Sequence, residues 1–286
     1  MQLRSPLFAP GDSARKITKA IASTADAVVL DLEDSVAASA KPAARAMVPE
    51  LVRAHRARGL IVRVNPPTTQ WYLDDLAGVI PARPAAIMLP KCHGPADLVR
   101  LNHHLEALET AAGAAIGSIG VVAILTETAG AVFSLGAYAG AASRLVAVCF
   151  GAEDLAADLG IAPRRPDATY PPPIALARAQ LLVAAGALGV PAIDTPYPDH
   201  SDPTGLQREA DAAAADGFAG KILIHPGQID IVNAAFTPSP ERTSWAERVD
   251  AAFAANPDAG VFALDGKMID RPHWKLARRI LAAAGR

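Results

Sequence analysis

Two short acidic motifs carry the clearest chemical signal in this 286-residue chain: Leu125-Thr-Glu-Thr128 and Gly151-Ala-Glu-Asp-Leu155. Each follows an apolar run that reads as a buried strand, so Glu127 and Asp154 are expected to emerge together at the carboxyl-terminal edge of a parallel sheet. Two carboxylates gathered there suit a hard divalent cation, which takes oxygen ligands. That points to a metal-dependent enzyme rather than a binding module. Arg63 belongs with them: it sits between Val62 and Val64 in a run that should be buried, and a guanidinium taken out of water needs an anionic partner.

The elements that must hold these groups follow from periodicity. Apolar runs bounded by turn residues read as strands at 3–9, 27–33, 60–65, 85–90, 120–127, 144–152, 191–197 and 221–226. Between them lie helical patterns, such as Met47, Val48, Leu51 and Val52, or Ile174, Leu181, Leu182, Ala185 and Leu188, whose spacing builds one apolar face. Strands apolar on both sides and separated by helices imply a parallel sheet covered all round. The expected fold is an α/β (β/α)8 TIM barrel over residues 1–237, with a C-terminal helical extension over residues 238–286 acting as a lid. A doubly wound open sheet is the competitor, but no Gly-x-Gly-x-x-Gly turn follows the first strand.

On a barrel, catalytic groups sit at the carboxyl ends of strands. The polar residues fall there: Asp31, Glu33 and Asp34 close the second strand, Arg63 and Asn65 the third, Lys91 the fourth, Glu127 the fifth, Asp154 the sixth and His225 the eighth. Any strand must end in something polar, and for Asn65, Lys91 and His225 that plainer account stays open.

Composition narrows the class. At 51% hydrophobic and 20% charged the chain is built to bury a large core, and a formal net charge of -2 with scattered Lys and Arg leaves no footprint for nucleic acid. The start, Met1-Gln-Leu-Arg-Ser-Pro6, lacks the regions of a signal peptide, and no apolar run reaches the roughly 18 residues of a membrane span, so a cytoplasmic location is expected. Cys92 and Cys149 form no Cys-x-x-Cys pair, and neither His103-His104 nor Cys92-His93 has zinc spacing.

The motifs in order resemble one known family. Arg4-Ser-Pro-Leu-Phe-Ala-Pro-Gly11, Asp31-Leu-Glu-Asp34 with Lys41 and Arg45, Val62-Arg-Val-Asn65, Leu89-Pro-Lys91, Glu127-Thr128, Gly151-Ala-Glu-Asp-Leu155, Ile224-His-Pro-Gly-Gln228 and Asp265-Gly-Lys-Met-Ile-Asp270 are similar to the citrate lyase beta-subunit-like branch of the HpcH/HpaI aldolases. The resemblance runs nearly end to end. It implies a TIM barrel, a magnesium ion, and carbon–carbon bond cleavage or formation next to a thioester, as in malyl-CoA and citramalyl-CoA lyases.

It also implies roles. Glu127 and Asp154 match the magnesium carboxylates, and Arg63 the arginine facing the substrate oxygen where charge develops. The amides of Ala152, Glu153 and Asp154 would receive the substrate carboxylate as a helix N-terminus receives an anion. Glu33 and Asp34 match an acidic cluster that supports metal-bound water. Asp270 matches an aspartate supplied across a subunit interface as the acid or base at the enolate carbon, which implies a homo-oligomer, commonly a trimer. From spacing alone Asp270 reads as the cap of a helix carrying Leu276, Ala277, Ile280 and Leu281.

A coenzyme A thioester needs phosphate contacts, and Arg15, Lys16 and Lys19 on the helix opening after Pro10-Gly-Asp-Ser13 are candidates beside the reading of a solvated basic face. Arg164-Arg165, in the Pro-rich loop 160–173, is a second basic element near the same mouth. The expected activity is thus a magnesium-dependent lyase splitting a 3-hydroxyacyl-CoA into an acyl-CoA and a 2-oxo acid. The alternatives are a citryl-thioester lyase beta subunit served by an acyl carrier protein, and a non-catalytic descendant.

Overall fold

The computed structural model describes residues 1–141, 143–256 and 260–286. Its strands are β1 Pro6–Pro10, β2 Ala27–Asp31, β3 Ile61–Arg63, β4 Ala86–Leu89, β5 Gly120–Ile124, β6 Leu145–Cys149, β7 Ala192–Asp194 and β8 Gly220–Lys221. They pair in parallel in sequence order. Closure comes from the segment after β8: Phe8 N–H donates to Leu223 O and Leu223 N–H to Pro6 O, both at 2.9 Å. The helices are α1 Ala14–Ile21, α2 Lys41–Ala54, α3 Tyr72–Val79, α4 Pro95–Ala111, α5 Ala129–Ser134, α6 Ala152–Leu159, α7 Pro172–Leu188, α8 Pro203–Asp216, α9 Ile229–Phe236, α10 Pro240–Ala255 and α11 Arg271–Ala283. None among the described residues is long and apolar enough to cross a membrane.

The continuous apolar runs exist because each strand is buried twice. Val29, Ile61, Met88, Val122, Cys149 and Ile193 fill the barrel interior. Their neighbours Val28, Leu30, Val62, Ile87 and Val148 point outward and pack under the helices. The strands are shorter than the runs that encode them: β5 stops at Ile124 and β8 at Lys221. Leu125 and Thr126 stay fully buried beyond the ladder, so the apolar signal continues after the chain has begun to turn over the barrel's upper rim. The rim residues are the ones that carry the chemistry.

The C-terminal segment differs from a purely helical extension. Between α10 and α11 runs an antiparallel hairpin, β9 Val261–Leu264 and β10 Lys267–Asp270. Asp265 and Gly266 both have positive φ, 49° and 73°, which a two-residue hairpin turn of the inverted type requires. This unit has its own core, in which Phe253 stacks on Trp274 at 5.1 Å and meets Phe262 edge-on at 4.8 Å. The end of α11, at Arg279, Ala282 and Ala283, borders a cleft with Leu3, Arg4 and Pro191, so it packs against the amino-terminal end of the barrel.

Candidate active site

The site starts from two adjacent strand ends. Register places Asp31 at the end of β2 directly beside Arg63 at the end of β3. The guanidinium grips it with two donors, Nε to Oδ1 at 2.6 Å and Nη2 to Oδ2 at 2.7 Å. Asp31 also accepts the amides of Glu33 at 2.9 Å and Ser35 at 3.1 Å. Burial opposes its charge, but Arg63 outweighs burial and holds the carboxyl below its usual range. Asp31 takes only two of the five N–H groups of the guanidinium, which leaves donors for a second anion. Nη1 lies 2.9 Å from Glu33 Oε2, and the guanidinium sits 4.8 Å from the centre of the Phe8 ring.

Lys91 joins this pair to the metal candidates. It follows β4 with a positive φ of 47°. That conformation turns its amide onto Glu127 Oε2. Its ammonium contacts Glu33 Oε1, and lies 2.9 Å from Asp34 Oδ2 and 3.5 Å from Asp154 Oδ1. Glu33 is buried and Asp34 is exposed, and Glu33 Oε2 has no partner of hydrogen-bonding geometry despite its closeness to Arg63.

Glu127 and Asp154 face one cavity because Asp154 lies in the first turn of α6, which starts beside Glu127. Gly151 precedes that helix, and a Cβ there would lie 2.5 Å from Glu127 Cγ, so a side chain at this position would evict the carboxylate. Gly151 N–H donates to Thr126 Oγ1 at 3.0 Å, and Ala152 N–H to Thr195 Oγ1 at 3.3 Å. The expectation of an open amide therefore changes at Ala152, whose donor is spent on holding α6 in place. The amides of Glu153 and Asp154 have no acceptor among the described hydrogen bonds. Burial, with Asp154 and Glu33 adding to it against the Lys91 amide, pushes Glu127 up to about 8. Burial is the largest part of that shift, and the Lys91 amide and Arg63 do not offset it.

Arg63, Glu127 and Asp154 line a cavity of about 150 Å³ with Phe8, Phe150 and Ile222. Among the described residues no three His, Cys, Asp or Glu side chains converge as a ready metal cage. The donor set fits magnesium all the same: that ion keeps several waters and is commonly bound through one or two carboxylates, and no nitrogen or sulfur ligand is on hand to favour zinc. Beyond Phe8 and Ile224, which border both spaces, opens a groove of about 450 Å³ lined by Arg15, Lys16, Lys19 and His225.

The remaining expectations separate. Asp270 caps α11 with Oδ1 2.5 Å from His273 Nδ1 of its own helix, and no described hydrogen bond or ion pair ties it to Glu127 or Asp154. Arg164 is not a free cation at the mouth. It is half-buried between Glu209 at 2.9 Å and Glu153 at 2.7 Å and lies over the Tyr170 ring. Asn65 is scaffolding: it accepts from Lys41 Nζ at 2.7 Å and donates to Asp75 at 2.6 Å, while Lys41 also donates to Leu32 O and Glu33 O at 2.8 Å. His225 Nδ1 accepts the Gly227 amide at 3.1 Å, and the ring packs 4.9 Å from that of His200. Thr126 and Thr195 had no sequence signal beyond being polar at strand ends.

Comparison with known proteins gives the family and the fold. The model of the HpcH/HpaI aldolase/citrate lyase family matches residues 4–226. The chain belongs to that family. It is 35% identical to the citrate lyase subunit beta of Escherichia coli K12 over 285 residues, covering 98% of this chain and 93% of the relative. It is 34% identical to the mitochondrial citramalyl-CoA lyase of Rattus norvegicus, covering 98% and 86%. The crystal structure of protein CitE from Mycobacterium tuberculosis, in complex with magnesium, acetoacetate and coenzyme A, superposes with a TM-score of 0.75 at 36% identity, over 99% of this chain and 98% of that one.

Proposed function

We propose that this magnesium-dependent carbon–carbon lyase cleaves a 3-hydroxyacyl-CoA thioester of the malyl-CoA or citramalyl-CoA kind into an acyl-CoA and a 2-oxo acid. The observation that carries the reading is the convergence of Glu127, Asp154 and Arg63 on one cavity, with a buried carboxylate that its surroundings leave under-neutralised.

Glu127 and Asp154 would hold the metal, which supplies Lewis-acid stabilisation to oxygens of the 2-oxo or 2-hydroxy acid unit. Arg63, locked by Asp31, directs its remaining N–H donors at the oxygen that becomes the keto group and stabilises negative charge there without reorganising. The free amides of Glu153 and Asp154 would receive the substrate carboxylate at the start of α6. Glu33 and Asp34 hold water on the side facing Lys91. The thioester fragment departs as an enolate, and a carboxylic acid must protonate its carbon.

We assign that role to Asp270 of another copy of this chain. The far end of its helix borders the amino-terminal end of its own barrel, and no described contact brings Asp270 to Glu127, which supports supply from a neighbouring copy in a homo-oligomer, the trimer being what the family resemblance implies. Residues 238–286 then act as a lid on a neighbour. The groove lined by Arg15, Lys16, Lys19 and His225 suits the phosphates of coenzyme A, which favours that carrier over an acyl carrier protein.

The test is cleavage of a panel of 3-hydroxyacyl thioesters, on coenzyme A and on acyl carrier protein, with magnesium or EDTA. Magnesium-dependent release of a 2-oxo acid from a CoA substrate is expected. Turnover only on the carrier protein would favour the subunit reading, and none on either would end the proposal. Asp270→Asn mixed with Glu127→Gln should regain activity that neither variant has alone, because one intact site can form across the interface.

A further inference from the structure

Lys91 touches four carboxylates at once: Glu127 through its amide, and Glu33, Asp34 and Asp154 through its ammonium. The cleavage chemistry outlined above asks for no ammonium at this position. The chain nevertheless holds it there in a left-handed conformation, φ 47°, which a residue with a Cβ disfavours. The side chain is only 27% exposed, so its charge is partly shielded from water.

The two ends of the residue act in opposite senses on a bound cation. The amide fixes the orientation of Glu127 Oε2 and so prearranges a ligand. The ammonium lies 3.5 Å from Asp154 Oδ1 and repels any cation that Asp154 binds. Its other acidic contacts are closer, 2.9 Å for Asp34 and closer still for Glu33, so it can give up Asp154 and stay anchored.

We propose that Lys91 is a positioning residue that sets the magnesium affinity of this site, its amide preparing Glu127 while its ammonium competes with the ion for Asp154. The inference rests on Glu127 and Asp154 being the metal ligands. It makes the site an exchangeable one: Lys91 offsets the repulsion among the carboxylates and yields when the ion arrives.

Calorimetric titration of magnesium into the EDTA-stripped full-length protein tests this without any turnover assay. Lys91→Met should bind magnesium about tenfold more tightly than the parent, as expected for removing one partly screened like charge within several ångströms. It should also unfold at a lower temperature in EDTA, with magnesium reversing the loss. Lys91→Gly accepts the same backbone without strain and keeps the amide, so it should show the same tightening and replaces the methionine variant if that one does not fold. Lys91→Arg, which retains the charge, should bind like the parent. Affinity unchanged or weakened in the neutral variants overturns the proposal. Normal magnesium binding by Asp154→Asn would instead overturn the ligand assignment, whatever Lys91 does.

Discussion

Two charge clusters, each reaching from the interior to the surface, flank this barrel, and they are built to opposite specifications. Around β7 and β8, Asp194, Glu209, Glu153 and Asp216 are interleaved with Lys221, Arg178 and Arg164, four carboxylates to three cations. Around β2 to β6, the described ion pairs of Asp31, Glu33, Asp34, Glu127 and Asp154 run to Arg63 and Lys91, with the Lys41 ammonium nearby on the Leu32 and Glu33 carbonyls. The same residue type answers accordingly. Glu209 is half-buried, and against that burial Arg164 and Lys221 bring it down to about 2, whereas burial and its acidic neighbours push Glu127 up to about 8. The first cluster is nearly balanced and holds the fold together, while the second carries an excess of carboxylates, which suits a divalent cation.

The largest effect expected from breaking this contrast lies in the matched cluster. Lys221 is fully buried with its ammonium 2.9 Å from Asp194 and 2.6 Å from Glu209. Lys221→Met removes the cation that these two acids share, leaving Asp194 only Arg178 and Glu209 only Arg164 among the described ion pairs, and removing one partner of a buried pair costs up to about 3–5 kcal/mol. Thermal unfolding should fall on the order of 10 °C for a protein of this size, with no recovery on adding magnesium. Recovery by magnesium would show the two clusters to be one.

The reverse sign is expected in the unmatched cluster. Glu127→Gln keeps the shape of the side chain and removes a charge that the fold tolerates poorly, so at pH 9 in EDTA the variant should be more stable than the parent, while its magnesium affinity drops by about 100-fold, or roughly 2.7 kcal/mol. The pH dependence follows from the same shift. Glu127 binds its proton more tightly folded, about 8, than unfolded, 4.5, so its contribution to stability is complete below pH 4.5 and is lost as pH rises through about 8. Glu209 runs the other way: its contribution is present above pH 4.5 and is lost as pH falls through about 2. Urea unfolding in EDTA should therefore show stability declining between pH 5 and pH 9, and saturating magnesium should abolish the decline. A flat profile in EDTA would mean that Glu127 is neutralised by the protein itself.

How far the sequence disclosed this contrast depends on the range of the signal. The barrel was legible because burial on both faces writes itself into continuous runs such as Ala27 to Leu30, and the site was legible because barrel strands deliver polar residues at one rim. Arg63 was readable as a buried guanidinium in need of an anion, but not that Asp31, its register neighbour, takes that role. Arg164 was misread because nothing local tells a loop arginine whether Glu209, 45 residues on, will fold over it. The left-handed turn at Lys91 has no glycine to announce it. The β9–β10 hairpin carries a turn signal in Asp265-Gly266, but its strands, Val261-Phe-Ala-Leu264 and Lys267-Met-Ile-Asp270, lack the alternation that marks a half-buried strand.

The smallest expected effect belongs to charges of a third kind. Arg15, Lys16 and Lys19 are exposed on α1 and line the groove beside Phe8 and Ile224, with none of the described ion pairs engaging them. Losing them should barely touch the fold, since exposed positions outside special contacts usually change stability by less than about 0.5 kcal/mol. If they hold coenzyme A phosphates, Lys16→Ala with Lys19→Ala should raise KM for an acyl-CoA about fivefold and leave kcat unchanged, because those contacts are made equally in ground and transition states. The effect should shrink as salt rises, since solvent-exposed charges are screened over about 10 Å at 0.1 M. A change in kcat, or a KM indifferent to salt, would place the phosphates elsewhere and leave α1 a solvated face. The comparison is sharpened either way: interior cations are judged by stability, and these only by what they bind.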